Sequence, residues 1–385
     1  MRVLAIVPSI YDRNPSQRYR IEQWEPLLRE RGVEITYKPF ESRELNEVLY
    51  QPGRTAEKVR LVARALARRR EDVRGARAFD AVYILREAAL LGPPWFERRV
   101  KRSGVPFVFD FDDAVFVPYR SPSNGYLSYL KFPGKTREIC RMASHVMAGN
   151  DYLADYAREV NDRVTVVPTT IDTEKYTVEP RPPNSVPVIG WTGSYSTAQH
   201  LQTLAGALRR LARTERFRLR VVGSPGMRLE GFEGVDVEQV AWRSETEVED
   251  LRPLDVGVMP LPVDPWSRGK CGLKALQYMA LAVPTVCSPV GVNSEIITDG
   301  VTGMLASTED EWVEKLTLLL RSAELRERLG RAGRRRVEER YSAAVQAPRV
   351  FEIFESVARE AGAPRPSPAG RGSVAVPTGG RARAE

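Results

Sequence analysis

The feature that most constrains this chain is a rhythm. Short apolar runs alternate with segments of helical spacing, and the alternation occurs twice, on either side of a proline-rich stretch. In the first half, residues 3–7 form an apolar run that closes at Pro8. Residues 17–31 place Ile21, Trp24, Leu27 and Leu28 on one helical face before Gly32, and Pro26 predicts a kink or a later helix start. Residues 33–37, 81–85, 105–111, 146–148 and 164–167 read as strands. A long basic helix covers 56–77, with Val59, Val62, Ala63 and Leu66 as its expected inward face. Strands separated by helices imply βαβ units and a parallel sheet.

Residues 169–187 break the pattern. They are polar, carry Pro180, Pro182 and Pro183, and end at Pro187, as an interdomain linker would. The rhythm then resumes, with strands at 188–191, 217–222, 235–240, 256–259 and 285–287 and helices at 198–213, 245–251, 273–282 and 309–321. The expected division is a first α/β domain over 1–168, the linker 169–187, a second α/β domain over 188–340 and a C-terminal helix over 341–361. Residues 362–385 are rich in Pro, Gly, Ala, Ser and Arg with almost no large apolar side chains, which predicts a disordered tail.

Several function classes are poorly supplied. Cys140, Cys271 and Cys287 are too few and scattered for a disulfide framework, and no pair has metal-ligand spacing. Two histidines leave little material for a zinc site or a Ser-His-Asp triad. His145 reads as structural at a strand start and His200 as a surface residue at a helix start. No apolar run approaches the ~20 residues of a membrane span. The N-terminal run is too short for a signal peptide and is followed by Asp12 and Arg13, so a cytoplasmic protein is expected. The formal net charge of +8 favours anionic partners. The basic helix 56–77, usually just a solvated face, offers a peripheral contact for the inner membrane surface. No nucleic-acid module is visible, so no nucleic-acid partner is expected.

The stretch 255–280 carries the chemistry. An apolar strand runs into Pro260, a loop containing Arg268, Gly269, Lys270, Cys271 and Gly272 follows, and a helix begins at Leu273 and Lys274. Glycines let backbone N–H groups approach a ligand, and a helix N-terminus presents unpaired N–H groups with a favourable dipole. With Lys270 and Arg268 beside it, the loop forms a candidate diphosphate cradle, set against the plainer reading of a strand–loop–helix connection with solvated charges.

At Tyr278-Met279-Ala280-Leu281-Ala282-Val283-Pro284 and at Gly291 through Glu295-Ile296-Ile297-Thr298-Asp299-Gly300 to Gly303 the chain resembles the retaining GT-B glycosyltransferases of family 4. Asp151–Tyr156 in the stretch 151–156, residues 166–173 and the Val221-Val222-Gly223-Ser224 strand end resemble further family segments in the same order. The resemblance covers most of 1–360. It implies an α/β fold of the GT-B kind, two Rossmann-like domains facing a central cleft, and a hexosyltransferase-like activity (EC 2.4). A sugar would move with retention from a nucleotide diphosphate sugar to a hydroxyl acceptor such as a glycan, a lipid or a small molecule. It implies no metal and no cofactor beyond the donor.

Two departures stand out. Gly269 and Gln277 occupy the places of the family's E-x7-E glutamates, which contact the transferred sugar and the ribose hydroxyls. The family's G-R-x4-K phosphate pair is also missing, with Gly193 and Ser194 at its place. The resemblance therefore implies a divergent donor site of Gly193, Ser194, Gly269, Cys271, Gly272, Leu273, Lys274, Gln277 and Glu295, with Lys270 and Arg268 stabilising the leaving diphosphate.

The first domain should supply the acceptor side. Arg18 and Arg20 lie in the loop and helix after the first strand, at the carboxyl edge where open α/β sheets bind ligands. They are candidates for clamping an anionic acceptor or the donor diphosphate, against the reading of a solvated first turn. Asp112 and Asp113 follow another strand and are candidates for orienting an acceptor hydroxyl, acting as base or binding a divalent cation, against a helix cap or an ion pair with nearby arginines; the resemblance, which implies no metal, favours acceptor positioning. Two alternatives stay open: a nucleotide-sugar epimerase of the same fold, and a non-catalytic polyanion-binding protein.

Overall fold

A computed structural model describes residues 1–49, 53–118, 132–223, 229–360 and 362. Ser224 and the predicted tail beyond Gly362 lie outside the described residues. Two six-stranded sheets are formed, and every strand pairing within them is parallel. The first has the order β2-β1-β3-β4-β5-β6, built from β1 (Arg2–Val7), β2 (Glu34–Pro39), β3 (Ala81–Leu85), β4 (Phe107–Phe111), β5 (His145–Ala148) and β6 (Val164–Val166). The second has the order β12-β11-β10-β7-β8-β9, from β7 (Val188–Gly193), β8 (Arg218–Gly223), β9 (Asp236–Ala241), β10 (Val256–Met259), β11 (Thr285–Cys287) and β12 (Met304–Leu305). Helices cover both faces, which is why β1, β3 and β4 are apolar at nearly every position and wholly buried within.

Strand order reverses between β1 and β3 in the first sheet and between β7 and β10 in the second. Ligands of open α/β sheets bind at the carboxyl ends beside such reversals. The two carboxyl edges face each other, so the switch points form the opposite walls of one cleft.

The chain passes between the sheets twice. It leaves the first after Val166 and enters the second at Val188, then returns after Tyr341. The two crossings are paired, with Ile171 N–H donating to Tyr341 O at 2.8 Å and Ala343 N–H to Ile171 O at 2.9 Å. The final helix, Ala343–Glu360, buries Ala347, Val350, Phe354 and Val357 among Val3, Trp24 and Tyr83 of the first domain. Among the described residues no helix is long and apolar enough to cross a membrane.

Local readings are corrected in several places. The helix expected at 17–31 starts at Pro15, capped by the Asn14 side chain, and passes through a π-turn at Arg18–Glu22 before Gln23–Glu30. Its break falls at Arg20 (φ −130°, ψ −109°) rather than at Pro26, which is accommodated inside Gln23–Glu30. The segment 198–213 is two helices, Tyr195–Gln202 and Ala205–Leu211. Helices Arg43–Leu49, Trp95–Ser103 and Lys135–Met142 were not legible as periodic stretches.

The basic helix, Thr55–Arg74, faces inward with Leu61, Ala65, Arg69 and Val73, while Val59 is 64% exposed. Arg69 hides this face from a hydrophobic count. Its buried guanidinium donates to the carbonyls of Ala88 (2.7 Å), Lys38 (2.7 Å) and Val7 (3.2 Å) and ties three chain segments together.

Arg20 is also fully buried. It donates to both carboxylate oxygens of Asp110 at 2.6 Å and to Val167 O at 2.8 Å, and Tyr83 OH donates to Asp110 at 2.5 Å. Burial opposes the charge on Arg20, and Asp110 outweighs it. Removing one partner strands the other charge, so Asp110→Ala is expected to cost about 3–5 kcal/mol, read as a lower midpoint in urea unfolding with a nearly unchanged slope.

Candidate active site

The cleft holds a cavity of about 450 Å³ between the two carboxyl edges. From the first domain, β4 delivers Asp112 and Asp113, and Arg86 follows β3 in a left-handed conformation (φ 62°) that turns it toward them. Arg13, Asn14 and Ser16 form the lip after β1, and Tyr19 comes from the π-turn. From the second domain, Thr192, Gly193 and Ser194 end β7, and Lys270, Cys271 and Gly272 precede the Leu273–Ala280 helix, which adds Leu273, Lys274 and Gln277. Gly272 must be glycine, because its φ is +71° and a Cβ would stand 2.2 Å from Ile296 Cδ1.

The two domains touch across the middle of the cleft. Lys270 Nζ donates to Asp113 Oδ1 at 2.7 Å, and Arg86 Nη2 to Asp113 Oδ2 at 2.7 Å. Burial disfavours the charged form of Asp113, but Lys270 and Arg86 outweigh it and hold the carboxyl below its ordinary value. Asn150 Nδ2 donates to Lys270 O at 3.2 Å, and the Cys271 thiol to Asp112 O at 3.2 Å. Burial pushes that thiol's pKa well up, so Cys271 is a packed, neutral group. Asp112 is 9% exposed, and its Oδ1 has no hydrogen-bond partner among the described residues, with Arg86 Nε 4.0 Å away.

Gly269 explains one departure from the sequence pattern. A Cβ there would lie 2.6 Å from Ala114 Cβ and 2.7 Å from Ala114 N, so the first domain occupies the space a glutamate would need. Gly269 packs on that domain and does not line the cavity.

Lys274 differs from Lys270. It lines the cavity in the first turn of its helix, and its ammonium has neither a carboxylate nor a hydrogen-bond partner among the described residues. It lies over the Trp191 ring at 5.6 Å. Burial and the like charge on Lys270 push its pKa down to about 8, against the pull of Asp113. The helix N-terminus adds unpaired N–H groups beside this cation. An anion with several oxygen acceptors fits that end.

The other end is a network the sequence did not announce. Glu247, which opens the short helix Glu247–Leu251, accepts from Arg18 Nη2 (2.8 Å) and Nη1 (3.2 Å), Tyr19 OH (2.7 Å), Trp242 Nε1 (2.9 Å) and Gln277 Nε2 (3.2 Å). Burial raises the Glu247 pKa, but the Arg18 pair and the other donors more than reverse this and keep it ionised. Arg18, Tyr19, Tyr176, Trp242, Glu247, Arg86 and Asn150 were not legible together. They lie far apart in the chain, and no spacing rule links them.

The expected site residues divide accordingly. Lys270, Lys274, Asp112, Asp113, Gly193, Ser194, Cys271, Gly272, Leu273 and Gln277 line the cavity. Arg268 does not: it is exposed and stacks over Tyr152 at 4.8 Å. Glu295 is exposed outside the cavity, Arg20 is sealed against Asp110, and Arg18 is committed to Glu247 and Asp12. His200 is buried rather than on the surface, with burial and the nearby lysines lowering its pKa to about 4. His145 donates to or accepts from Thr165 Oγ1 at 2.9 Å, away from the cleft. Among the described residues no group of three or more His, Cys, Asp or Glu is arranged to hold a metal.

Residues 186–322 match the family model described as "Glycosyl transferases group 1". Over 245 residues the chain is 27% identical to alpha-maltose-1-phosphate synthase of Mycolicibacterium smegmatis, covering 54% of this chain and 60% of that protein. Among solved structures, sucrose-phosphate synthase from Thermosynechococcus elongatus superposes with a TM-score of 0.70 at 15% identity, over 94% of this chain and all of that one. Anabaena HepE, solved with UDP-glucose, superposes with a TM-score of 0.63 at 14% identity, over 92% of this chain and all of that one. The fold is the GT-B fold of glycosyltransferases.

The contact at Gly269 yields a test of the closed cleft. Gly269→Ala forces a methyl group into Ala114, at a cost of about 1–3 kcal/mol. The expected result is a lower Tm together with a larger radius of gyration in X-ray scattering, as the domains part to relieve the clash.

Proposed function

We propose that this protein transfers a sugar, with retention, from a nucleoside diphosphate sugar to a hydroxyl acceptor. The observation that carries the reading is Lys274: a cation with no carboxylate or hydrogen-bond partner among the described residues, facing a cavity at the start of a helix. A half-buried cation with no counter-charge beside it is unfavourable, and a bound anion relieves that. The family match over the second domain and the likeness to a structure holding UDP-glucose support a nucleoside diphosphate as that anion.

In this reading the diphosphate sits on Lys274 and the N–H groups of the Leu273–Ala280 helix, with Gly193 and Ser194 closing over it. Lys270 stands between the diphosphate and Asp113 and stabilises the charge that develops on the leaving group. The cradle thus rests on Lys274 first and Lys270 second. Arg268, turned toward Tyr152, takes no part. The acceptor enters from the first domain. Asp112, which lines the cavity, accepts a hydrogen bond from its hydroxyl, and Arg86 holds the two aspartates in place. The contacts between the domains exclude water and so limit loss of the donor by hydrolysis.

Titration calorimetry with UDP, GDP, ADP and dTDP tests this reading. At least one should bind, and Lys274→Ala should weaken it roughly 10- to 100-fold, the range for losing a hydrogen bond to a charged group. An unchanged affinity overturns the assignment. The pH dependence has a fixed sign. A bound anion favours the charged lysine, so the contribution of Lys274 to affinity is full below its free-state pKa of about 8 and is lost as pH rises above it. The Lys274→Ala variant should lose that dependence.

A further inference from the structure

We propose that Glu247 is a positioning residue for the donor's ribose: it orients the Gln277 amide so that Gln277 Oε1 faces the cavity as a hydroxyl acceptor, and thereby makes the site select ribonucleotides over deoxyribonucleotides. This rests on the reading of the cleft as a nucleoside diphosphate sugar site.

The orientation follows from proton accounting. Glu247 is ionised and can only accept hydrogen bonds. Tyr19 OH, 2.7 Å from Glu247 Oε2, must therefore spend its single proton there. Tyr176 OH, 2.6 Å from Tyr19 OH, must then donate to the Tyr19 oxygen. Burial keeps both phenols protonated. Each phenol oxygen is left as an acceptor, and these two oxygens stand 2.7 and 2.9 Å from one Gln277 side-chain atom, with Glu247 Oε1 at 3.2 Å. Three acceptors around one atom require it to be the amide nitrogen. An amide assigned the other way would set oxygen against a carboxylate and two proton-spent phenols.

The carbonyl oxygen is consequently turned away from the network. Gln277 is 3% exposed and lines the cavity, and its Oε1 has no partner among the described residues. It lies three residues beyond Lys274, so both side chains share one helix face. The group next to a nucleoside's diphosphate is its ribose, whose hydroxyls are the donors that an unpartnered acceptor one turn away would take. Glu247 is itself held by Arg18 and Tyr19 of the first domain. The ribose is therefore read only when the domains are together.

The test measures the affinities of UDP and GDP and of their 2′- and 3′-deoxy forms by calorimetry, in the full chain. The natural protein should prefer the ribonucleotide over at least one deoxy form by roughly five- to tenfold, the contribution of one neutral hydrogen bond. Glu247→Gln supplies a donor that can reverse the tyrosine chain, so this preference should collapse to near unity while binding through the diphosphate persists. Gln277→Leu removes the acceptor without touching the Arg18 pair and should give the same collapse. The exchange E247Q/Q277E places a carboxylate at 277, which needs no orienting, and should restore the preference. A preference that survives in Glu247→Gln or Gln277→Leu overturns the proposal, as does an exchange variant that fails to restore it. If the natural protein binds nucleoside diphosphates without any preference, this inference fails alone. If it binds none of them, the proposed function fails with it.

Discussion

Glu247 and Arg18 come from different domains and meet at 2.8 Å in a place almost closed to water. A buried guanidinium is tolerable only with its charge met and its donors used. Arg18 satisfies this with Glu247, with Asp12 at 2.7 Å, and with the Tyr19 and Trp242 rings about its planar face. Because the two halves of the ion pair belong to different domains, the cost of separating them is an electrostatic restraint on cleft opening. Tyr19, Tyr176 and Gln277 are ordered by the same carboxylate, so joining the domains and shaping one end of the cavity are a single event.

The middle of the cleft repeats this logic at smaller scale. Lys270 crosses to Asp113, Cys271 and Asn150 add weaker crossings, and Gly269 lets Ala114 approach closely. Lys270 and Lys274 sit four residues apart, yet among the described residues only Lys270 meets a carboxylate. Charge left unmet on one lysine and met on its neighbour gives the cavity a defined place for an anion rather than a diffuse positive field. The missing motif glutamates fit the same picture. At 269 there is no room for a side chain. At 277 the neutral amide sits beside a carboxylate, where a second carboxylate would face like-charge repulsion.

Some of this was open to reading along the chain, and some was closed for definite reasons. Lys270, Lys274, Gly272 and Gln277 were legible because they lie within one strand–loop–helix, where spacing maps directly onto geometry. Asp112 and Asp113 were legible because strand ends in such sheets face the cleft. Arg18 and Arg20 were legible as charges near the site but not in their roles. Two positions apart on a regular helix they would point differently, and the π-turn between them redirects both, one to Glu247 and one to Asp110. The inward face of the basic helix was legible only in part for a related reason: Val62 and Leu66 do pack inward, but a charged residue, Arg69, belongs to that face, and its burial depends on three carbonyls supplied by distant segments of the chain.

The α/β rhythm, the break between its two halves and the lysine-bearing loop can be read along the chain, because strand burial and helix periodicity are local consequences of side-chain order. Which charges are met by a partner and which are left for a ligand depends on the fold. Lys270 and Lys274 are the same residue type in one short segment, and their difference comes from Asp113, more than 150 residues earlier in the chain. Coulomb interaction depends on separation in space, and the fold alone sets that separation.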